Sequence, residues 1–236
     1  MEKVDKTDKV IVFKENIEES LANAIRRYIN QVEVLAVDEV EIKKNDSALY
    51  DETLAHRVGL VPLKNKKVDA KGVKLKISVK KEGAVYSEEM GGEAEVVEGK
   101  IPLVLLDKGQ EMDLVATAKL GKGVEHAKYS PGLMFYRDVS EITLDKALAG
   151  EIKNSCPDAE VKEKGDKVVV LDNKKTEVCD VCEGIAKRAG KSVETKATGE
   201  LVVTLESWGQ MPVGDIFTES VNVLKKDLSE LSKKLK

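Results

Sequence analysis

Residues 13–63 read FKENIEESLANAIRRYINQVEVLAVDEVEIKKNDSALYDETLAHRVGLVPL and begin at the end of a first predicted strand, at residues 9–13. Leu21, Ile25 and Tyr28 recur at helical spacing, which predicts an amphipathic helix with one apolar face. A strand is expected over residues 32–42, where apolar and polar side chains alternate loosely. The segment therefore predicts a helix followed by a strand.

The middle of the chain is predominantly of β character. A short helix is expected first, over residues 51–59, because Asp51 suits a helix N-terminus and Gly59 a helix C-terminus. Clean alternation of apolar and charged residues then begins at Val73. Strands are expected over residues 73–79, 93–97, 101–106, 113–120 and 201–205.

The most regular pattern lies in the last twenty residues. Apolar residues alternate there at spacings of four and three, which is a heptad seam: Phe217, Val221, Leu224, Leu228, Leu231 and Leu235. Such a helix needs a cover. The cover is either the N-terminal helix of the same chain or a second chain, and the two are compatible.

Composition excludes several classes of protein. The 236 residues are 42% hydrophobic and 35% charged, which is typical of a globular protein. The net charge of −4 argues against a free nucleic-acid binder, so any role with DNA is expected to be indirect. The sequence contains no apolar run of about 18 residues, so no membrane span is predicted. The charged N-terminus lacks the apolar core of a signal peptide, so we expect a cytoplasmic protein.

Three ordered blocks of sequence resemble the assembly-subunit family of RNA polymerases, which includes the archaeal D subunit, the eukaryotic third-largest subunit and bacterial alpha. The first block runs from Leu21 to Leu63 and includes LANAIRR, NDS and HRVGLVPL. The second comprises DKGQ at residues 107–110 and LGKGVEHAKYSP at residues 120–131, typical of the archaeal and eukaryotic branches. The third is LESWG at residues 205–209, before the last helix.

This resemblance implies an α+β fold built around a discontinuous dimerisation domain of sheet plus helices. Its two parts are expected at residues 1–42 and 194–236. An inserted mainly-β domain is expected at residues 43–149, and a degenerate ferredoxin-like insertion at residues 150–193.

The resemblance also implies a function and a set of partners. The chain is expected to be a non-catalytic component of a DNA-directed RNA polymerase, a nucleotidyltransferase. It would pair with the small subunit L to form a platform for the large catalytic subunits, with further contacts to the small subunits N and P. The expected partner interface comprises Leu21, Ile25, Tyr28, Phe217, Val221, Leu224, Leu228 and Leu231. Other inter-subunit contacts are expected at Arg26, Arg27, His56, Arg57 and His126.

The cysteines form an incomplete metal-binding pattern. Many archaeal members of this family carry a ferredoxin-like iron–sulfur motif, Cys-x2-Cys-x2-Cys-x3-Cys-Pro. Here Cys156 precedes a proline, and Cys179 and Cys182 match the first two positions of the triplet. Ile185 and Ala189 occupy the other two positions, so three of the four thiolates of a cluster remain.

Three interpretations of these cysteines are open. The insertion has lost its metal and kept its fold, which is the favoured one. Alternatively, the three thiolates bind a three-iron cluster or a zinc ion with a fourth ligand from outside. The third alternative is a disulfide involving Cys156, which a reducing cytoplasm disfavours.

Two rival functions remain from other classes of protein. A ferredoxin-like electron carrier would need complete cysteine sets. An independent homodimeric scaffold would use the heptad seam on itself, as bacterial alpha homodimerises. No catalytic grouping can be assembled from the two histidines, and the glycines at residues 121 and 123 lack P-loop spacing.

Overall fold

The computed structural model describes residues 2–235, which contain twelve strands and five α-helices. The strands are β1 (Glu2–Lys6), β2 (Val10–Glu15), β3 (Glu33–Asn45), β4 (Val73–Val79), β5 (Gly83–Tyr86), β6 (Gly91–Gly92), β7 (Pro102–Leu106), β8 (Met112–Lys122), β9 (Gly132–Asp145), β10 (Glu160–Lys164), β11 (Lys167–Asp172) and β12 (Glu194–Ser207). The helices are α1 (Glu19–Tyr28), α2 (Asp51–Gly59), α3 (Ala149–Ser155), α4 (Cys179–Arg188) and α5 (Val213–Lys234). The expected mixture of helices and sheets is confirmed.

The chain divides into two compact units, and the first combines residues 1–24 with residues 134–206. Its sheet has the order β1-β2-β12-β9-β11-β10. The helices α3 and α4 contribute Ile152, Cys182 and Ile185 to a core that also contains Ile142 and Val168 from the strands. The strands of the cysteine-bearing segment, β10 and β11, therefore continue the same sheet as β2 and β12.

The second unit combines residues 25–133 with residues 207–236. Its four-stranded sheet has the order β3-β8-β4-β6, and β5 pairs with β7 in a separate two-stranded sheet. Leu75 and Ile77 of β4 and Leu114 of β8 are fully buried in its core, as is Leu54 of α2. Burial on alternate positions of β4 explains why this strand was so clear in the sequence.

Two sequence expectations differ from the observed elements. Residues 93–97 do not form a strand, and only Val96 makes an isolated bridge, with Leu63. The boundary predicted between residues 42 and 43 falls inside β3, which pairs with β8 from Glu33 to Asn45. The first ten residues of β3 therefore belong to the four-stranded sheet of the second unit.

Candidate protein interface

One side of helix α5 is buried in the folded chain. Val213, Ile216, Ser220 and Leu224 are buried and follow one another at spacings of three and four. The short turn Ile29–Gln31 packs against this helix. The first part of the predicted cover is therefore supplied by the chain itself.

The predicted heptad seam lies one residue further round the helix than this buried side. Its members Phe217 and Val221, which follow the buried Ile216 and Ser220, are only half-buried. Leu224 is 9% exposed and belongs to the chain's own packing. An intrachain core and an outward seam thus share the first half of α5.

The second half of α5 leaves its leucines exposed. Leu228, Leu231 and Leu235, which we call the exposed seam, have 55%, 53% and 79% of their surface accessible. Exposed apolar side chains that follow one another along one helix are the kind of surface that interaction sites present. Of the residues predicted for a partner interface, Leu228 and Leu231 are the best placed to meet a partner.

Residues of α1 divide in a similar way. In the first unit, Leu21 is 46% exposed. In the second unit, Ile25 is 6% exposed and so lies in the core. Arg26 and Arg27 are both exposed, as an inter-subunit contact requires. The apolar face predicted for α1 therefore combines a core residue with an exposed one.

Tyr28 joins the N-terminal helix to α5. Its hydroxyl donates a hydrogen bond to Asp227 Oδ2 at 3.1 Å, across 199 residues of sequence. Desolvation, followed by the hydrogen bond to the Asp227 carboxylate, raises the pKa of Tyr28. This tyrosine thus positions the start of the exposed half of α5.

Arg57 has an intrachain role. Its Nε donates to the carbonyl oxygen of Leu103 at 2.8 Å, and its guanidinium also donates to the carbonyl oxygen of Pro102. The side chain therefore ties α2 to β7. The inter-subunit contact expected from the sequence stays a prediction, and two of the donor groups it would use are already engaged within the chain.

The structure brings His56 and His126 together, although they are far apart in sequence. Both are exposed and line one cavity of about 210 Å³, with Asp38, Leu60 and Lys128. The backbone amide of Lys128 donates to His126 Nδ1 at 3.1 Å, which orients the ring. Their expected role as inter-subunit contacts is compatible with this accessible position.

Two exposed apolar residues of the second unit gave no sequence signal. Tyr50, just before α2, is 81% exposed, and Leu105 of β7 is 65% exposed. Neither belongs to a periodic pattern, because Tyr50 lies in extended conformation just before α2 and Leu105 faces outward from a short two-stranded sheet. Only the folded structure reveals them as surface features.

The three cysteines lie in the core of the first unit. Cys156 and Cys182 are 7% and 0% exposed, Cys179 is half-buried beside them, and all three are free thiols. Burial, and secondarily the neighbouring thiols, raises the pKa of Cys182 to about 12. Burial also raises the pKa of Cys156 and of Cys179. In the absence of a metal ion, burial therefore favours the protonated form of these thiols.

The residues present do not supply the full thiolate set of the iron–sulfur motif found in the family. Ile185, in the third position of the motif, is 2% exposed and fills the same apolar core. Within residues 2–235, no three side chains among histidine, cysteine, aspartate and glutamate are arranged to hold a metal ion. Cys156 and Cys182 pack among the apolar side chains of this core.

No helix in the described part of the chain is long and apolar enough to cross a membrane.

Comparison with known proteins extends these observations to the whole chain. Residues 40–135, almost all in the second unit, match the family model of the RNA polymerase Rpb3/RpoA insert domain. DNA-directed RNA polymerase subunit Rpo3 of Thermococcus kodakarensis is 31% identical, over 92% of this chain and 90% of its own length. The chain belongs to the Rpo3 family of DNA-directed RNA polymerase subunits.

Other relatives in the Rpo3 family give the same result. The Rpo3 subunit of Pyrococcus horikoshii is 32% identical over 92% of this chain and 90% of the relative. The Rpo3 subunit of Pyrococcus furiosus is 31% identical over 97% of this chain and 95% of the relative. The resemblance found from the sequence blocks is thus confirmed, and it extends over both structural units.

Proposed function

We propose that this chain is the non-catalytic assembly subunit of a DNA-directed RNA polymerase, working in the cytoplasm, and that it pairs with a small subunit of the L type through α5. The exposed seam carries the proposal. Leu228 and Leu231 are more than half exposed on a helix whose other side is already packed. The chain belongs to the Rpo3 family of RNA polymerase subunits, so the partner would be another subunit of that enzyme.

The proposed division of labour follows the two ends of the chain. The ends supply α1 and α5 for pairing, as a discontinuous dimerisation domain would. The part of the chain between them, matched by the insert-domain family over residues 40–135, would contact the large catalytic subunits and the small subunits N and P. DNA would be contacted only indirectly. In this proposal the cysteine-bearing segment packs as part of the fold and binds no metal.

Leu228→Asp tests the pairing site. A carboxylate buried in an apolar contact without a counterion costs several kcal/mol, so the partner should be lost. The tagged variant would be co-expressed with the polymerase subunits and purified, and its partners identified by mass spectrometry together with a template-dependent RNA synthesis assay. We expect the small subunit and synthesis to be missing.

Ser229→Asp is the matched control, because it adds the same charge on the neighbouring residue, away from the seam. It should keep both the partner and RNA synthesis. Leu224→Asp is a poor substitute, because Leu224 is 9% exposed and its replacement should disturb folding itself. Retention of the small subunit by a folded Leu228→Asp variant would show that α5 is not the pairing site.

A further inference from the structure

The exposed seam lies in a region whose charge is opposite to that of the whole chain. The chain has a net charge of −4. Alongside the seam, residues 225–234 contain four lysines and only two acidic residues: Lys225, Lys226, Lys233 and Lys234, with Asp227 and Glu230. Any helix that covers the seam meets a local excess of positive charge.

Two of these lysines flank the seam directly. With Leu228 and Leu235 in one core position of the heptad and Leu231 in the other, Lys225 lies on one flank and Lys234 on the opposite flank. These flanking positions face the partner and determine which partner is preferred. Lys226 and Lys233 lie on the outer side of the helix, away from the seam.

The acidic residue on a flank is already engaged. Asp227 accepts the hydrogen bond of the Tyr28 hydroxyl at 3.1 Å. Glu230 lies away from the two flanking positions. The side chains that would meet a partner's charges are therefore lysines.

A second copy of this chain would be a poor occupant. In a parallel pair, Lys225 would face the position of Ser220, which is buried in its own chain, and Asp227 would face Ser232, so no opposite charges meet. An antiparallel pair could oppose Asp227 to Lys234, but Lys225 would still face Ser232. Self-pairing thus leaves Lys225 without a counterion in either orientation.

We propose that the occupant of the exposed seam is an amphipathic helix of a different protein, whose apolar stripe is flanked by glutamate or aspartate. The inference rests on the function proposed above and specifies the chemistry of its partner. Opposite charges at flanking positions select the right helix and disfavour the wrong one by repulsion. The lysines thus act as specificity residues beside a leucine contact.

Two synthetic helical peptides test this on the full-length protein. Both carry the same leucine heptad seam, and one has glutamate and the other lysine at every flanking position. Binding would be measured by fluorescence anisotropy at low and high salt. We expect the glutamate peptide to bind at least about tenfold more tightly, with the advantage shrinking as salt screens the charges.

Charge-reversal variants supply matched controls. The double variant Lys225→Glu with Lys234→Glu should reverse the preference between the two peptides. Lys226→Glu with Lys233→Glu changes the total charge equally on the outer side of the helix and should keep the original preference.

The outcomes separate the two proposals. Equal binding of both peptides, combined with loss of binding in Leu228→Asp, overturns the charge inference while the apolar interface stands. Undiminished binding to Leu228→Asp means that the seam is not the contact, and the proposed pairing site fails with it. Absence of binding by the glutamate peptide also overturns the inference. So does a stable homodimer in analytical ultracentrifugation that Leu228→Asp dissociates, because a second copy would then be the occupant.

Discussion

At the residue scale, identical side chains have different roles in this protein. Leu224 and Leu228 are consecutive members of one heptad pattern, yet the first is 9% exposed and the second 55%. The heptad pattern identifies which residues lie on one stripe of the helix. How deeply each one is buried depends on how far along α5 the rest of the chain packs against it. The sequence therefore predicted the helix, but it could not show which members of the heptad pattern are buried within the chain.

The cysteine core has a consequence for stability at alkaline pH. The pKa of Cys182 is about 12 in the fold against an ordinary value of 9.0, so the folded state binds a proton that the unfolded state releases between these values. The stabilisation is complete below pH 9 and is lost as the pH rises towards 12. Cys182→Val keeps an apolar side chain of similar size without this titration.

We therefore expect Cys182→Val to lose less unfolding free energy than the unsubstituted protein between neutral pH and pH 11, a range that includes the ordinary thiol pKa of 9.0. Urea titrations at a series of pH values would measure it. Parallel curves for the two proteins would contradict the buried-thiol account. Cys179→Val, at the half-buried position, provides the comparison.

Gly121 is required by a close approach. A Cβ atom at this position would lie 2.6 Å from the ring of Tyr129, which is buried and whose hydroxyl donates to Asp38 Oδ1 at 3.3 Å. The sequence showed this glycine in a block typical of the family, whereas the structure gives the physical reason for it.

Gly121→Ala should lower the unfolding free energy by about 1–3 kcal/mol, as overpacking does in other cores. Thermal and urea unfolding would measure the loss. Gly150→Ala in α3 is the matched control, because nothing lies within 4 Å of its added Cβ. Equal stability of Gly121→Ala and the unsubstituted protein would mean that Tyr129 moves aside freely.

At the scale of elements, the sequence was most informative where one periodicity ran without interruption. The alternation in β4 and the heptad in α5 predicted both elements close to their observed bounds. The strand β9 was missed, because Arg137 and Asp138 interrupt its apolar alternation. Helix α1 begins at Glu19, and the carbonyl oxygen of Glu18 accepts its first helical hydrogen bonds from the backbone amides of Leu21 and Ala22.

Helix α2 depends on a bond that no sequence pattern reveals. Arg57 donates to the carbonyl oxygens of Leu103 and Pro102, and so holds the helix on β7. Removing the guanidinium leaves two carbonyl groups without their charged donor, a change that costs about 1–3 kcal/mol.

We expect Arg57→Met to lose stability by that amount, measured by urea unfolding, and to keep its polymerase partners once folded. His56→Ala, at the neighbouring exposed position, should leave stability nearly unchanged. Loss of a large subunit from a fully stable Arg57→Met protein would instead support the inter-subunit role that the sequence suggested.

At the scale of the whole molecule, the broad class of fold and the family were accessible from the sequence, because the motifs occur in order along almost the entire chain. The assignment of segments to units was less accessible. Residues 33–42 were grouped with the N-terminal helix, yet β3 pairs along its length with β8. Pairing between strands about 80 residues apart depends on long-range contacts, which leave no local trace in sequence.

The hydrogen bond between Tyr28 and Asp227 has a consequence for the timing of synthesis. Its two ends are 199 residues apart, and α5 follows every other described element. A ribosome would therefore release the turn at Ile29–Gln31 long before the helix that packs on it. The exposed seam is oriented only after α5 has emerged from the ribosome and has packed against this turn. A partner that recognises the seam therefore binds only chains in which α5 has already been synthesised.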